Sequence, residues 1–141
     1  MERKQFISTL GFSVAACACG ALVSCSKSSD NPGGSGGGVV IDDPLEIDLS
    51  STLLSVGSSV TRDGVIVVRL AETNEPTSFT ALSVACTHQG TFVNYSPGSK
   101  IFICPNHGSE FSTSGSVLQG PASKPLKKFA VSISGSTLTV S

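Results

Sequence analysis

Cys86-Thr87-His88 and Cys104-Pro105-Asn106-His107 decide how this chain is read. Fifteen residues separate the two segments, and each offers one thiol and one imidazole. The chain has only two histidines in 141 residues, and both stand here beside a cysteine. A lone cysteine is ordinarily a small buried apolar residue, and a lone histidine a hydrogen-bonded bystander. Chance placement is a poor account of both falling together twice. Two sulfur and two nitrogen donors suit a metal centre with unlike halves. Structural zinc also accepts two Cys and two His. Zinc modules usually pair like with like along the chain, whereas each segment here mixes the two.

A [2Fe–2S] cluster takes such a donor set, with one iron held by Cys86 and Cys104 and the other by His88 and His107. The two segments resemble the ligand motifs of Rieske proteins. His88-Gln89-Gly90 and His107-Gly108-Ser109 add a glycine where backbone has to approach the inorganic sulfides. Gly120-Pro121-Ala122-Ser123-Lys124-Pro125-Leu126 resembles the proline-rich loop that covers the cluster in that family. The resemblance covers residues 50–140 and is strongest over 81–126. It implies a single [2Fe–2S] cofactor whose two imidazoles take the oxidised core from a dianion to neutral, which raises the reduction potential. It also implies imidazoles whose free ring nitrogens respond to protons.

Two further comparisons with the family bear on tuning. Ser109 matches a serine whose hydroxyl donates to a bridging sulfide, and Phe111 stands where high-potential members carry a tyrosine. The disulfide that joins the ligand loops in cytochrome bc members would fall at Thr91 and Asn106, where this chain has no cysteine. The resemblance therefore implies a potential inside the roughly −150 to +300 mV family range, below that of quinol-oxidising subunits. Gln89, polar where many of those subunits have leucine, mildly disfavours a quinol-docking surface.

Outward from the motif the chain reads as all-β. Val65-Ile66-Val67-Val68 has the β-branched run of a buried strand, and residues 79–84 alternate on their way into the first ligand segment. Residues 91–95 and 100–103 should pair across Ser96-Pro97-Gly98-Ser99, and residues 129–133 and 137–140 across Ser134-Gly135. About ten short strands predict a Rieske-type stack of small antiparallel sheets. The ligand loops should leave the ends of neighbouring strands, so a cluster-binding subdomain sits at one tip.

The first residues read as an export signal over 1–24. Arg3 and Lys4 precede an apolar run at residues 6–23, and Arg3-Lys4-Gln5-Phe6-Ile7 resembles a twin-arginine signal. Leu22-Val23-Ser24-Cys25 resembles a bacterial lipobox, which implies acylation of Cys25; Cys17 and Cys19 fit that pattern less well. An uncleaved membrane anchor is the alternative, since the run is just long enough to span. Residues 25–40 form a Ser/Gly-rich linker with a random-coil span of roughly 20–24 Å, and 41–141 form the Rieske domain. All five cysteines then have a place, and none remains for a disulfide.

The formal charge is −1, with no basic stripe, so nucleic-acid binding has no support. Lys124, Lys127 and Lys128 form a small basic group, either a solvated edge or a docking patch for an acidic partner. With both histidines committed to metal, His-dependent hydrolysis has no base, and turnover of a substrate by the chain alone is not expected. The expected role is a membrane-tethered one-electron carrier, exported and facing the periplasm or cell exterior, between a redox protein donor and acceptor such as a cytochrome or quinol-linked complex. The alternatives are an electron-transfer subunit of a larger quinol–cytochrome reductase or arsenite-oxidase-like complex, and a zinc-stabilised binding module without redox chemistry. A cytoplasmic ring-hydroxylase ferredoxin fits the motif but not the export signal.

Overall fold

The computed structural model describes residues 39–141. The signal, the lipobox at Cys25 and nearly all of the linker lie outside the described residues. The first five strands are β1 (Leu45–Asp48), β2 (Ser59–Arg62), β3 (Val65–Arg69), β4 (Phe79–Ser83) and β5 (Asn94–Ser96). The other five are β6 (Ile101–Ile103), β7 (Glu110–Phe111), β8 (Val117–Gln119), β9 (Val131–Ser134) and β10 (Thr137–Val140). The only helical element among the described residues is a 3-10 turn at Pro76–Ser78.

Four consecutive β-branched residues leave a strand no polar face, so it has to be covered on both sides. β3 meets that demand, and all five of its residues are buried. It is the middle strand of an antiparallel sheet ordered β2-β3-β4. Val65 and Val67 face a core shared with Ile47, Leu138 and Val140, which come from the sheet β1-β10-β9. Ile66 and Val68 face a second core with Phe102, Phe111 and Leu126, beneath the sheet β5-β6-β7-β8. The result is a three-layer antiparallel stack. Both Cys86 and Cys104 belong to the second core, so the metal-binding thiols expected from sequence grow out of the hydrophobic packing itself.

Two hairpins show how local chemistry sets register. β2 and β3 pair through Arg62↔Val65, leaving a two-residue loop of Asp63 (φ 49°) and Gly64 (φ 76°). Two successive positive φ angles match a type I′ turn, whose twist suits the flanking strands. β9 and β10 pair through Ser134↔Thr137, so their loop is Gly135-Ser136, one residue later than the sequence pattern suggests. The shift follows from Ser134 entering the ladder, which leaves Gly135 to take the positive φ of 59°.

Arg69 carries an unexpected burden for the last residue of a strand. It is buried and its guanidinium donates to the carbonyls of Leu53, Ala71 and Glu72 and to the side-chain oxygen of Asn74. It also lies 5.2 Å from the centre of the Phe79 ring. A planar fork of donors can satisfy several loop carbonyls at once, which an ammonium cannot. Arg69→Met should therefore leave these buried acceptors unpaired and cost about 3 kcal/mol. The melting temperature should fall by roughly 10 °C or more, and Arg69→Lys should restore only part of it. A thermal melt unchanged in Arg69→Met would refute this role.

The described chain begins clasped to the body of the domain. The Lys127 ammonium donates to the Val39 carbonyl at 3.0 Å and stands 4.8 Å over the Phe129 ring. The Val39 side chain packs so closely on Gly64 that an added Cβ there would lie 3.0 Å from it.

Candidate metal centre

The two ligand segments fold as equivalent loops. In the first, the Cys86 N–H donates to the Thr91 carbonyl and the Gly90 N–H donates back to the Cys86 carbonyl. In the second, the Cys104 N–H donates to the Ser109 carbonyl and the Gly108 N–H to the Cys104 carbonyl. Each loop thus runs five residues from its cysteine to a hydroxyl residue and closes at a glycine with φ near 70° (75° and 70°). The positive φ is what selects glycine here. With such a frame, histidine two residues after one cysteine and three after the other can present both imidazoles on one side.

Strand order explains why the loops meet. β4 leads into the first loop but belongs to the middle sheet, not to the sheet of the second loop. Residues 84 and 93 hydrogen-bond across the first loop, after which the chain becomes β5. β5 pairs with β6 through Asn94↔Ile103, and β6 delivers the chain to Cys104. The loops are therefore neighbours through the strand that leaves the first and the strand that enters the second. The simpler expectation of two adjacent departing strands is corrected to this extent.

At the tip, the His88 and His107 rings are exposed and meet edge-to-face with centroids 4.8 Å apart. Beneath them Cys86 and Cys104 are 3% and 2% exposed. Burial pushes the Cys86 thiol above its ordinary range, N–H groups of His88 and Gln89 partly offset this, and the adjacent Cys104 thiol raises it further. Two thiols this close resist joint ionisation, and a cation between them removes the conflict. No three His, Cys, Asp or Glu side chains among the described residues converge on one point. The donors are arranged as a buried sulfur pair under an exposed nitrogen pair. A binuclear core whose irons take two protein ligands each asks for this division, and the residues present fit it.

A third segment closes the site. Ser109 is fully buried, and its Oγ accepts the Ala122 N–H at 3.1 Å, which leaves its own proton to donate. The Thr87 hydroxyl donates to the Lys124 carbonyl at 2.6 Å, and the Leu126 N–H to the Gly115 carbonyl. Gly120, with φ 100°, lies against Ser109 so tightly that a Cβ would come within 2.5 Å of the Ser109 Cα. Thr87, Gly115 and Gly120 escape a reading of spacing, although Gly120 heads the proline-rich segment that resembles the family's covering loop. Phe111 is fully buried in the core that holds both cysteines.

A family model for the Rieske [2Fe-2S] domain matches residues 45–130, more than half of the chain. The chain belongs to that family. The match begins five residues before the resemblance read from sequence and ends ten before it. Among relatives, the cytochrome b6-f complex iron-sulfur subunit of Chlorobaculum thiosulfatiphilum is 35% identical over 79 residues, covering 56% of this chain and 41% of that one. This Rieske protein thus spans less than half of that relative's length. The corresponding subunit of Synechococcus elongatus is 34% identical over 134 residues, covering 86% of this chain and 73% of its own. The structure of the plasma membrane Rieske protein of Synechocystis superposes with a TM-score of 0.58 at 32% identity, covering 69% of this chain and 98% of that one. The cofactor of the Rieske domain is a [2Fe–2S] cluster, and its chemistry is electron transfer. No helix among the described residues is long and apolar enough to cross a membrane.

Proposed function

We propose that Cys86 and Cys104 hold one iron of the cluster, that His88 and His107 hold the other, and that the domain works as a one-electron carrier tethered to a membrane through acylated Cys25. The observation that carries the ligand assignment is the pair of exposed imidazoles set over two buried thiols on loops with the same hydrogen-bond frame. Bound there, the cluster supplies a site that gains and loses one electron. The protein does the rest. The second core keeps water from the sulfur side, while the two imidazole rings stay exposed at the tip. Ser109 Oγ accepts the Ala122 N–H, which leaves its hydroxyl proton to donate to the cluster.

The test is direct. Protein purified anaerobically should be reddish, contain iron and acid-labile sulfide in equal amounts, and give an EPR signal once reduced with dithionite. Colourless protein holding zinc alone would overturn the assignment. Because reduction draws protons onto the imidazoles, the potential should be highest at low pH and fall as pH rises. A potential that stays constant as pH is varied would remove the proton-holding role.

A second reading, an iron–sulfur subunit of a larger oxidoreductase, is favoured by the likeness to cytochrome b6-f subunits. Co-purification with cytochromes would support it over a free carrier. Phe111 bears on which partners are reachable. Phe111→Tyr should raise the midpoint potential by offering a hydroxyl donor to a cysteine sulfur. A titration showing no change or a fall would reject that geometry.

The export route over residues 1–24, cleavage before Cys25, the linker at 25–40 and the domain at 41–141 are part of the same proposal. The mass of the membrane-extracted protein distinguishes an acylated Cys25 from a retained leader.

A further inference from the structure

Ser112-Thr113-Ser114-Gly115-Ser116 carries the chain from β7 to β8, and its run of hydroxyls has no part in the ligand set. In the structure they shut the turn. The Gly115 N–H donates to the Ser112 carbonyl, and the Ser112 N–H to the Ser116 carbonyl. The Ser112 hydroxyl oxygen accepts the N–H groups of Ser114 and Ser116, while the Ser114 hydroxyl bonds those of Ser112 and Ser116. One long-range bond then fastens the closed turn to the middle sheet. The Thr80 hydroxyl, on a residue 2% exposed, donates to the Thr113 carbonyl at 2.8 Å.

What the turn holds is the far end of the covering segment. Gly115 has φ 89°, and a Cβ there would lie 2.7 Å from the Leu126 carbonyl oxygen and 3.3 Å from a Leu82 methyl. The Gly115 carbonyl in turn accepts the Leu126 N–H. Two other fastenings of the cover, Ala122 to Ser109 and Lys124 to Thr87, are made to the ligand loops and move with them. Past Leu126 the Lys127 carbonyl accepts the Ser83 N–H, and the Phe129 N–H donates to the Ala81 carbonyl. The chain thus returns to β4, the strand that pins the turn, and the frame closes. Leu126 itself is buried in the core that holds Cys86 and Cys104.

We propose that the 112–116 turn, pinned by Thr80 and seated by Gly115, is a positioning device that keeps Leu126 packed in the cysteine core and water away from the two sulfurs. The inference rests on the ligand assignment above. Neither Thr80 nor Gly115 belongs to a ligand loop, so each acts through Leu126. The effect has a definite sign. With two thiolates and two neutral imidazoles the oxidised core is neutral and the reduced core anionic. Water at the sulfurs favours the charged form, so loosening the frame should raise the midpoint potential.

The test uses full-length holoprotein carrying Thr80→Val, Thr80→Ser or Gly115→Ala. Gly98→Ala is the control, because nothing lies within 4 Å of its Cβ position. Valine keeps the shape of Thr80 and removes the donor, whereas serine keeps the donor. Redox titration at one pH, followed by EPR, should show an upward shift in Thr80→Val and Gly115→Ala. Thr80→Ser and Gly98→Ala should keep the parental value. Hydrogen exchange at the Leu126 amide should quicken about tenfold or more in the two shifted variants. A parental or lowered potential in Thr80→Val overturns the positioning role, even where its melting temperature falls. Unchanged exchange at Leu126 overturns the pin, and so does a Thr80→Ser shift as large as that of Thr80→Val. Should Gly115→Ala not fold, Thr80→Val decides alone. Iron content and the EPR signal of the parent report the ligand assignment separately, and exchange at Leu126 tests the frame without reference to the metal.

Discussion

Cys104→Ser, and equally Cys86→Ser, should yield protein with neither colour nor a reduced-state EPR signal, and with a melting temperature well below that of the parent. Each cysteine sits in the second core at 2–3% exposure. Serine would put a hydroxyl there in place of a soft thiolate, which the iron binds poorly and the core cannot hydrate. An unpaired buried hydroxyl alone costs about 1–3 kcal/mol. Loss of the metal destabilises the fold further still, because binding energy of a centre that exists only in the folded protein is folding energy. Cys86 and Cys104 are both free, so no disulfide links the two loops that the proposed ligands join. On the proposed ligand assignment, the cluster would supply the tie of covalent strength between these two loops. Calorimetry of the parent and variant, with iron analysis of each, is the measurement. A Cys104→Ser protein that kept both iron and its EPR signal would show that Cys104 is not a ligand.

Gly120→Ala should produce the second large effect, through a residue that touches no metal. Its φ of 100° lies where an L side chain is strained, and an added methyl would sit 2.5 Å from the Ser109 Cα and 2.9 Å from its nitrogen. Backbone atoms cannot rotate away as a flexible side chain can. The covering segment must lift, and the Ala122 N–H then loses Ser109 Oγ. Together these should cost about 2–4 kcal/mol and make the reduced-state signal labile to oxygen. Gly98→Ala is the control, because nothing lies within 4 Å of its Cβ position. Equal stability of the two variants would show that the covering segment does not need its close approach.

Much of the site is written in the chain because ligands announce themselves by type and spacing. Two histidines and two cysteines in mixed pairs leave little room for another reading, and the Val65–Val68 run demands cover on both faces wherever it folds. Other features lack such a signature. Arg69 looks like an ordinary strand-ending cation, since three of its partners are backbone carbonyls, which every residue possesses. The division of β4 and β6 between two sheets depends on long-range pairing, which strand periodicity alone does not encode. Asp63-Gly64 is different in kind. The dipeptide is a recognised hairpin signal, set here between Val60-Thr61-Arg62 and Val65-Ile66, and its turn is legible without any structure. Charge segregation along the chain is hidden by summation, since residues 39–83 balance to −5 (two arginines, seven acids) and residues 84–128 to +3 (four lysines, one acid).

The clasp between Lys127 and Val39 has a mechanical corollary. Val39 rests on Gly64, whose carbonyl takes the Val84 N–H two residues before Cys86. A pull through residues before Val39 would therefore load the end of β4 that leads to Cys86, whereas the β3–β4 connection lies a strand length away, about 17 Å. Were that chain the proposed tether, pivoting about this fastening would move the β3–β4 connection through a wider arc than Cys86.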